Sequence, residues 1–324
     1  MTTAFVVGRR RKGGHAGGVV REVRATLERA GWKVDSAVVD EKSDLRRYAR
    51  RAVKRDCHVV VVVGGDGAVN EVATALTGTP VALGIIPTGT GNLLAGNLGI
   101  PRRLDRAIET VIAGTGRRID VGQATVGGKS HNFTVACGIG LDADVMRSTG
   151  RRSKRRWGKL AYFVSAIAAS GRIGNMTHEI TLDGVTTETQ AAQVIVANFG
   201  RMMAGLSPRR PVLPDDGLLE VIVVRASGRI PALPAAWQAL RQTDLGDSSG
   251  GRAFRAQARE ARIVTAQPRL VEIDGNVVGR TPVDVSILPA ALSVIVPASR
   301  SGAEAVMARP GRQTELTRSR RSTS

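Results

Sequence analysis

The sequence predicts an α/β protein in two parts, an open doubly wound sheet flanked by helices followed by a mostly antiparallel β domain. Three observations carry this. Strand and helix patterns alternate from Ala4 to about Val121. Within that stretch, two apolar runs, His58 to Val63 and Val81 to Ile86, each end in a glycine-rich turn and pass into helix-compatible sequence, as buried parallel strands do. Beyond Val121 the pattern changes to short apolar runs separated by turn residues, which suits antiparallel pairing.

Taken in order, Ala4 to Val7 is a short strand. Val19, Val20, Val23 and Leu27 then recur at helical spacing before Trp32 to Val39 returns to a strand pattern. Ser43 is placed to cap a helix whose apolar face is Leu45, Tyr48, Ala49, Ala52 and Val53. The other face of that helix is Arg46, Arg47, Arg50, Arg51, Lys54 and Arg55. In the second part, strands are expected at Phe133 to Ala136, Gln193 to Ala197, Leu218 to Val224, Arg262 to Thr265, Leu270 to Asp274, Val283 to Ile287 and Leu292 to Val296. One helix interrupts them, from Gly158 to Ala169. The tail from Arg309 to Ser324 is rich in Arg, Ser and Thr and reads as disordered.

At 324 residues the chain is long enough for two cores, and its formal net charge is +19. That charge points to an anionic partner without choosing among nucleic acid, anionic lipid and phosphorylated small molecules. Aromatic residues make up only 3% of the chain, too few for the stacking platforms of a single-strand binder. Cys57 and Cys137 form no disulfide framework, so a reducing, cytoplasmic compartment is expected. The N-terminus lacks the apolar region of a signal peptide, and no run reaches the roughly 20 apolar residues of a spanning helix, so any membrane contact is peripheral.

Two segments carry chemistry. Gly64-Gly65-Asp66-Gly67-Ala68-Val69-Asn70-Glu71 follows the first of the two apolar strands and opens a helix. Glycines there let backbone approach a phosphate, the helix start offers unpaired N–H groups, and Asp66 puts a carboxylate where it can hold Mg2+ or accept a proton. Such a turn alone is as often an ordinary tight connection. Pro87-Thr88-Gly89-Thr90-Gly91-Asn92 follows the next strand in the same way, so both loops fall on one edge of the sheet, where open α/β folds place ligands. Neither is a Walker A or GxGxxG sequence.

GGDGAVNEV (Gly64 to Val72) and IPTGTGNLLAGNLGIP (Ile86 to Pro101) resemble the paired nucleotide-binding motifs of the diacylglycerol kinase catalytic-domain family, whose relatives include sphingosine and ceramide kinases. The resemblance continues through Gly138 to Ala143, Pro214-Asp215-Asp216-Gly217-Leu218 and Ile273-Asp274-Gly275. It implies an α/β ATP-binding domain over residues 1–121, completed by 298–308, and a β-sandwich lipid-substrate domain over 122–297, with the catalytic cleft between them. It implies that Gly64, Gly65, Asp66, Gly67, Ala68, Asn70, Glu71, Thr88, Gly89, Thr90 and Asn92 line the ATP site. Asp66 then organises Mg2+ and nucleotide, and Asp274 accepts the proton of the lipid hydroxyl. A structural Mg2+ is implied on Asp216 and the carbonyls of Leu213 and Leu218; without the resemblance, that segment is simply a turn.

This chain departs from the family pattern at three places. Gly8-Arg9-Arg10-Arg11-Lys12-Gly13-Gly14 replaces an Asn-Pro loop, Ala68 replaces a threonine, and Asn276 replaces a glutamate. An amide is no base, so catalysis depends on whether the base is Asp274 or the missing glutamate. The implied reaction is transfer of the ATP γ-phosphate to a membrane lipid hydroxyl, diacylglycerol giving phosphatidic acid. A kinase of a soluble acceptor related to NAD kinases, and a catalytically weak nucleotide-binding membrane protein, are the alternatives. The cluster Arg151-Arg152-Ser153-Lys154-Arg155-Arg156-Trp157 suits an anionic membrane at the inner face of the plasma membrane, or is a solvated loop. No specific nucleic acid is expected, and a homodimer stays open.

Overall fold

The computed structural model describes residues 1–10, 16–40, 43–141, 175–198, 213–225 and 253–298. The expected helix at 158–169, the basic cluster at 151–157, most of the Gly8–Gly14 loop and the chain end from 299 lie outside the described residues.

β1 (Thr3–Arg9) and β2 (Lys33–Val39) flank α1 (Ala16–Arg29), whose Val20, Val23 and Leu27 fall on one face and are buried. α2 (Leu45–Val53) buries Leu45, Ala49 and Ala52. Its cap is Asp44 rather than Ser43: the Asp44 carboxylate accepts from the Arg46 N–H at 3.0 Å, satisfying a donor that the helix leaves unpaired. β3 (Val59–Gly64) buries all five of its valines and leads into α3 (Asp66–Leu76). β4 (Ala82–Pro87) leads into the short α4 (Leu93–Asn97), and α5 (Leu104–Ala113) follows. These strands run parallel in the order β2-β1-β3-β4. α1 and α5 pack on one face, α2, α3 and α4 on the other. The order reverses between β1 and β3, so their loops part to opposite faces and leave a crevice at the C-terminal strand edge.

The remaining strands are β5 (Thr115–Val126), β6 (Lys129–Phe133), β7 (Ala136–Leu141), β8 (Met176–Leu182), β9 (Val185–Ala191), β10 (Gln193–Ala197), β11 (Leu219–Val224), β12 (Ala253–Ala258), β13 (Glu260–Thr265), β14 (Leu270–Ile273), β15 (Asn276–Arg280) and β16 (Val283–Val296). β12-β11-β10-β7-β14-β15 form a six-stranded sheet. It packs on β5, β6, β8, β13 and β16 through a second core that includes Phe133, Ile139, Val194, Val221, Ile263 and Val285.

Two expectations change. Phe133 to Ala136 is not one strand: Phe133 ends β6, Ala136 begins β7, and the N–H groups between them bond to a side chain rather than to a neighbouring strand. Val283 to Ile287 and Leu292 to Val296 are one strand, β16, whose register shifts between Leu288 and Leu292. Pro289, which has no N–H to donate, sits in that irregularity and gives the sequence its apparent break.

β5 and β16 pair along almost their whole length and serve both cores. Ile119, Val121, Leu292 and Val294 belong to the first, Ala124, Val126, Val283 and Val285 to the second. β16 also lies parallel to β4, Val294 opposite Leu83, so the chain's last strand completes the first sheet. The two cysteines are free, and burial holds the Cys137 thiol far above its ordinary range. Among the described residues, no helix is long and apolar enough to cross a membrane.

Candidate active site

The two glycine loops meet backbone to backbone. A Cβ on Gly89 would lie 2.5 Å from the Gly65 Cα, and one on Gly65 would lie 3.0 Å from the Gly89 Cα. Thr88 N–H donates to the Gly64 carbonyl at 3.0 Å, extending the β3–β4 ladder into the loops. Gly64 is small for a different reason, since a Cβ there would strike Ala68 on the first turn of α3 at 2.5 Å.

Asp66 ties the loops together. As the first residue of α3, it accepts from the N–H groups of Asn92 at 2.9 Å and Leu93 at 2.5 Å, the start of α4. Gly91 leaves room for that carboxylate, which a Cβ would approach to 2.5 Å. Asn92 is buried in a left-handed conformation (φ 51°) and closes its own loop, accepting from Gly89 N–H at 2.9 Å and donating to Gly89 O at 2.7 Å. Arg102, not singled out from sequence, donates to the carbonyls of Thr90 and Gly91 at 3.0 and 2.8 Å. Thr88 and Thr90 are exposed at the loop surface. The N–H groups of Asp66 and Gly67 begin α3 and so have no intrahelical acceptor.

Glu71, about one and a half turns into α3, bonds to β1 and α2 rather than to the glycine loops. Its carboxylate accepts from Arg9 at 2.6 Å and from the Leu45 N–H at 3.0 Å, binding the end of β1 to the start of α2. Both bonds fall on Oε2, so one oxygen of Glu71 braces β1 and α2. Arg9 also donates to Ser43 O at 2.7 Å. Gly8 is required by packing, since a Cβ would lie 2.7 Å from Val20 Cγ2. The Asn70 Oδ1 is buried with no partner among the described residues.

α3 packs against β6, whose C-terminal end leads to the residues that hold Asp274. Asp274 and Gly275 form the turn between β14 and β15, both with positive φ. One Asp274 oxygen accepts from the N–H of Val135 (3.1 Å) and Ala136 (3.0 Å). The other accepts from the N–H of Thr134 (2.9 Å) and its hydroxyl (3.3 Å). Burial raises the Asp274 carboxyl above its ordinary pKa, against the pull of those N–H groups. A carboxylate offers about four lone-pair positions, and all are engaged here. The sequence expectation of a base at Asp274 meets a residue already saturated with donors, while Asn276 beside it is exposed.

The turn at Pro214–Leu218 is organised by Asp120, a buried carboxylate that sequence reading missed. Asp120 accepts from the N–H groups of Gly217 (2.7 Å) and Ala290 (2.6 Å), and its own N–H donates to Pro214 O at 2.6 Å. Asn198 donates to the Asp120 carbonyl at 2.8 Å. The signal available was a lone carboxylate between two apolar residues, Ile119 and Val121, on a β-patterned stretch. Asp216 accepts from the Leu218 N–H at 3.0 Å, and its carboxyl is raised by burial and by the neighbouring Asp120 and Asp215 charges. Arg117 pairs with Asp215 at 2.7 Å. Leu213 is exposed. Among the described residues, no three His, Cys, Asp or Glu side chains gather into a metal cluster, so any ion at this turn would draw on backbone carbonyls.

Comparison with known proteins agrees with this architecture. Residues 4–124 match the diacylglycerol kinase catalytic domain, and residues 135–296 match the YegS C-terminal NAD kinase beta sandwich-like domain. The chain is 29% identical over 283 residues to a diacylglycerol kinase of Mycobacterium tuberculosis H37Rv, covering 84% of this chain and 88% of that one. It is 31% identical over 230 residues to the Salmonella arizonae protein named "Probable lipid kinase YegS", covering 69% and 75%. Against a longer, uncharacterized Synechocystis protein the identity is 26% over 244 residues, and the match spans only 55% of that relative. A crystal structure of a candidate diacylglycerol kinase from Bacillus anthracis str. Sterne superposes with a TM-score of 0.75 at 25% identity, over 91% of this chain and 96% of that one. The chain therefore belongs to the lipid kinase family that joins a diacylglycerol kinase catalytic domain to a YegS-type beta sandwich-like domain.

Proposed function

We propose that this protein transfers the γ-phosphate of ATP to the hydroxyl of a membrane lipid, with diacylglycerol as acceptor and phosphatidic acid as product. The observation that carries the reading is the single cradle made by Gly65 and Gly89, locked by Asp66, at the C-terminal edge of β3 and β4. Phosphoryl transfer needs mainly positioning and charge neutralisation. The free N–H groups at the start of α3 would bind the phosphates with the positive end of its dipole.

Asp66 spends one lone pair of each oxygen on the α4 N–H groups and keeps the others. These remaining lone pairs support Asp66 as the carboxylate that would hold Mg2+ or take the acceptor's proton, while the four donors on Asp274 support a shaping role for it. Mg2+ would supply neutralisation of the transferred charge. A second, structural Mg2+ fits the Leu213 and Leu218 carbonyls with Asp216, where adjacent carboxylates leave negative charge that a hard cation relieves.

The test is labelled ATP with Mg2+ and mixed micelles carrying diacylglycerol, ceramide or a sphingoid base. Label in diacylglycerol, reduced about 100-fold or more by Asp66→Ala, is the expected outcome. Label in a different lipid would change the acceptor. No labelled lipid at all, with ATP still bound, would sink the lipid-kinase reading and favour the nucleotide-binding membrane protein suggested by Asn276 or a kinase of a soluble acceptor.

A further inference from the structure

The exposed face of α2 carries the most one-sided charge among the described helices. Arg46, Arg47, Arg50, Arg51 and the C-cap Lys54 all point away from the buried Leu45, Ala49 and Ala52, and no acid lies within the helix. The other charged helices balance themselves. α1 pairs Arg24 with Glu28 and α5 pairs Arg106 with Glu109. On α2, Arg46 bonds to the cap Asp44, whereas Arg47, Arg50, Arg51 and Lys54 make no ion pair among the described residues. Arg46 with Arg50, Arg47 with Arg51, and Arg50 with Lys54 are like charges four residues apart, an arrangement that works against the helix in water. A polyanion laid along that face reverses the sign of the effect.

The position of α2 says which polyanion. Its first N–H is held by Glu71 of α3, five residues after Asp66 on the same helix, so the cationic face starts beside the helix that opens from the glycine loops. The nine residues of α2 span about 14 Å, comparable to the Debye length of about 10 Å at 0.1 M salt, so their charges act together on a surface and weakly on a single small anion.

We propose that the Arg47, Arg50, Arg51 and Lys54 face of α2 is a docking surface for anionic phospholipid bilayers, which brings the cradle to the lipid acceptor. This rests on the lipid acceptor proposed above. The shortage of aromatic residues argues against single-stranded nucleic acid as occupant, and duplex DNA is left as an outcome of the test.

Flotation of the full chain, without ATP, on phosphatidylcholine vesicles with and without about 30% phosphatidylglycerol tests it. The triple variant Arg47→Gln, Arg50→Gln, Arg51→Gln is compared with a variant of equal charge loss on the opposite face, Arg21→Gln, Arg29→Gln, Arg106→Gln. Wild type and the opposite-face variant should float with the anionic vesicles, and the α2 variant should partition at least about tenfold less. Equal loss in both variants would reduce the effect to net charge and overturn the assignment. So would unchanged flotation of the α2 variant, or a loss confined to duplex DNA binding. Turnover of diacylglycerol in neutral detergent micelles, run in parallel, should be the same for wild type and the α2 variant, which also verifies folding. If wild type phosphorylates no lipid there but still floats through α2, the docking surface stands and the acceptor reading alone fails.

Discussion

Gly89 and Asp274 show how much of this site is decided by single atoms. Any side chain at Gly89 must displace the Gly65 backbone or the Asn92 amide, which a Cβ would approach to 2.5 and 2.8 Å. Gly89→Ala therefore adds strain of about 1–3 kcal/mol at the loop contact. Nucleotide affinity by calorimetry should fall about tenfold or more, and the melting temperature should drop by about a few degrees. Asp274→Asn keeps the size but replaces one acceptor oxygen with a donor that faces N–H groups. It should cost about 1–3 kcal/mol of stability, visible in denaturant titration, because those donors lose their partner. A variant that loses activity while unfolding at the wild-type denaturant concentration would instead mark Asp274 as chemical. The sequence made Asp66 and the glycines visible, because few uses explain a doubled glycine turn after consecutive strands. The saturation of Asp274 was invisible, since its donors sit some 140 positions earlier in the chain.

Elements with strong periodicity were legible: α1, α2, β3, β4, β10 and β11 stand close to where the apolar spacing put them. What misled was local chemistry that competes with periodicity, namely a side chain claiming the N–H groups after Phe133 and a proline interrupting β16. β8 carries a further consequence. His178 on this strand is 1% exposed, and its Nδ1–H donates to Met176 O at 2.8 Å. Burial lowers its pKa below the ordinary 6.5, with Arg269 adding to the depression. The unfolded chain thus takes up a proton near pH 6.5 that the folded strand refuses, so the contribution to stability is intact above that pH and is lost as pH falls below it. Thermal melts through that range should show the decline, and His178→Gln should flatten it.

At the scale of the whole molecule, the alternation of patterns in the first part and the short runs of the second were enough to give the fold class. The continuity between the halves was not, because sequence reading has no means of seeing that residue 294 completes a sheet begun by residue 4. The pattern change near Val121 falls inside β5, whose partner β16 threads both cores. A chain stopped at residue 282 would leave β4 as an open parallel edge flanked by apolar surface, a template for aggregation. It should appear in the insoluble fraction under conditions where the full chain is soluble; a soluble, folded truncation would show that β16 is dispensable to the first sheet. The same feature imposes an order on synthesis. β4 emerges from the ribosome about 210 residues before Val294, so at about 5–20 residues per second its edge waits on the order of 10–40 s for its partner. During translation, the half that holds the two glycine loops is the first made and the last finished.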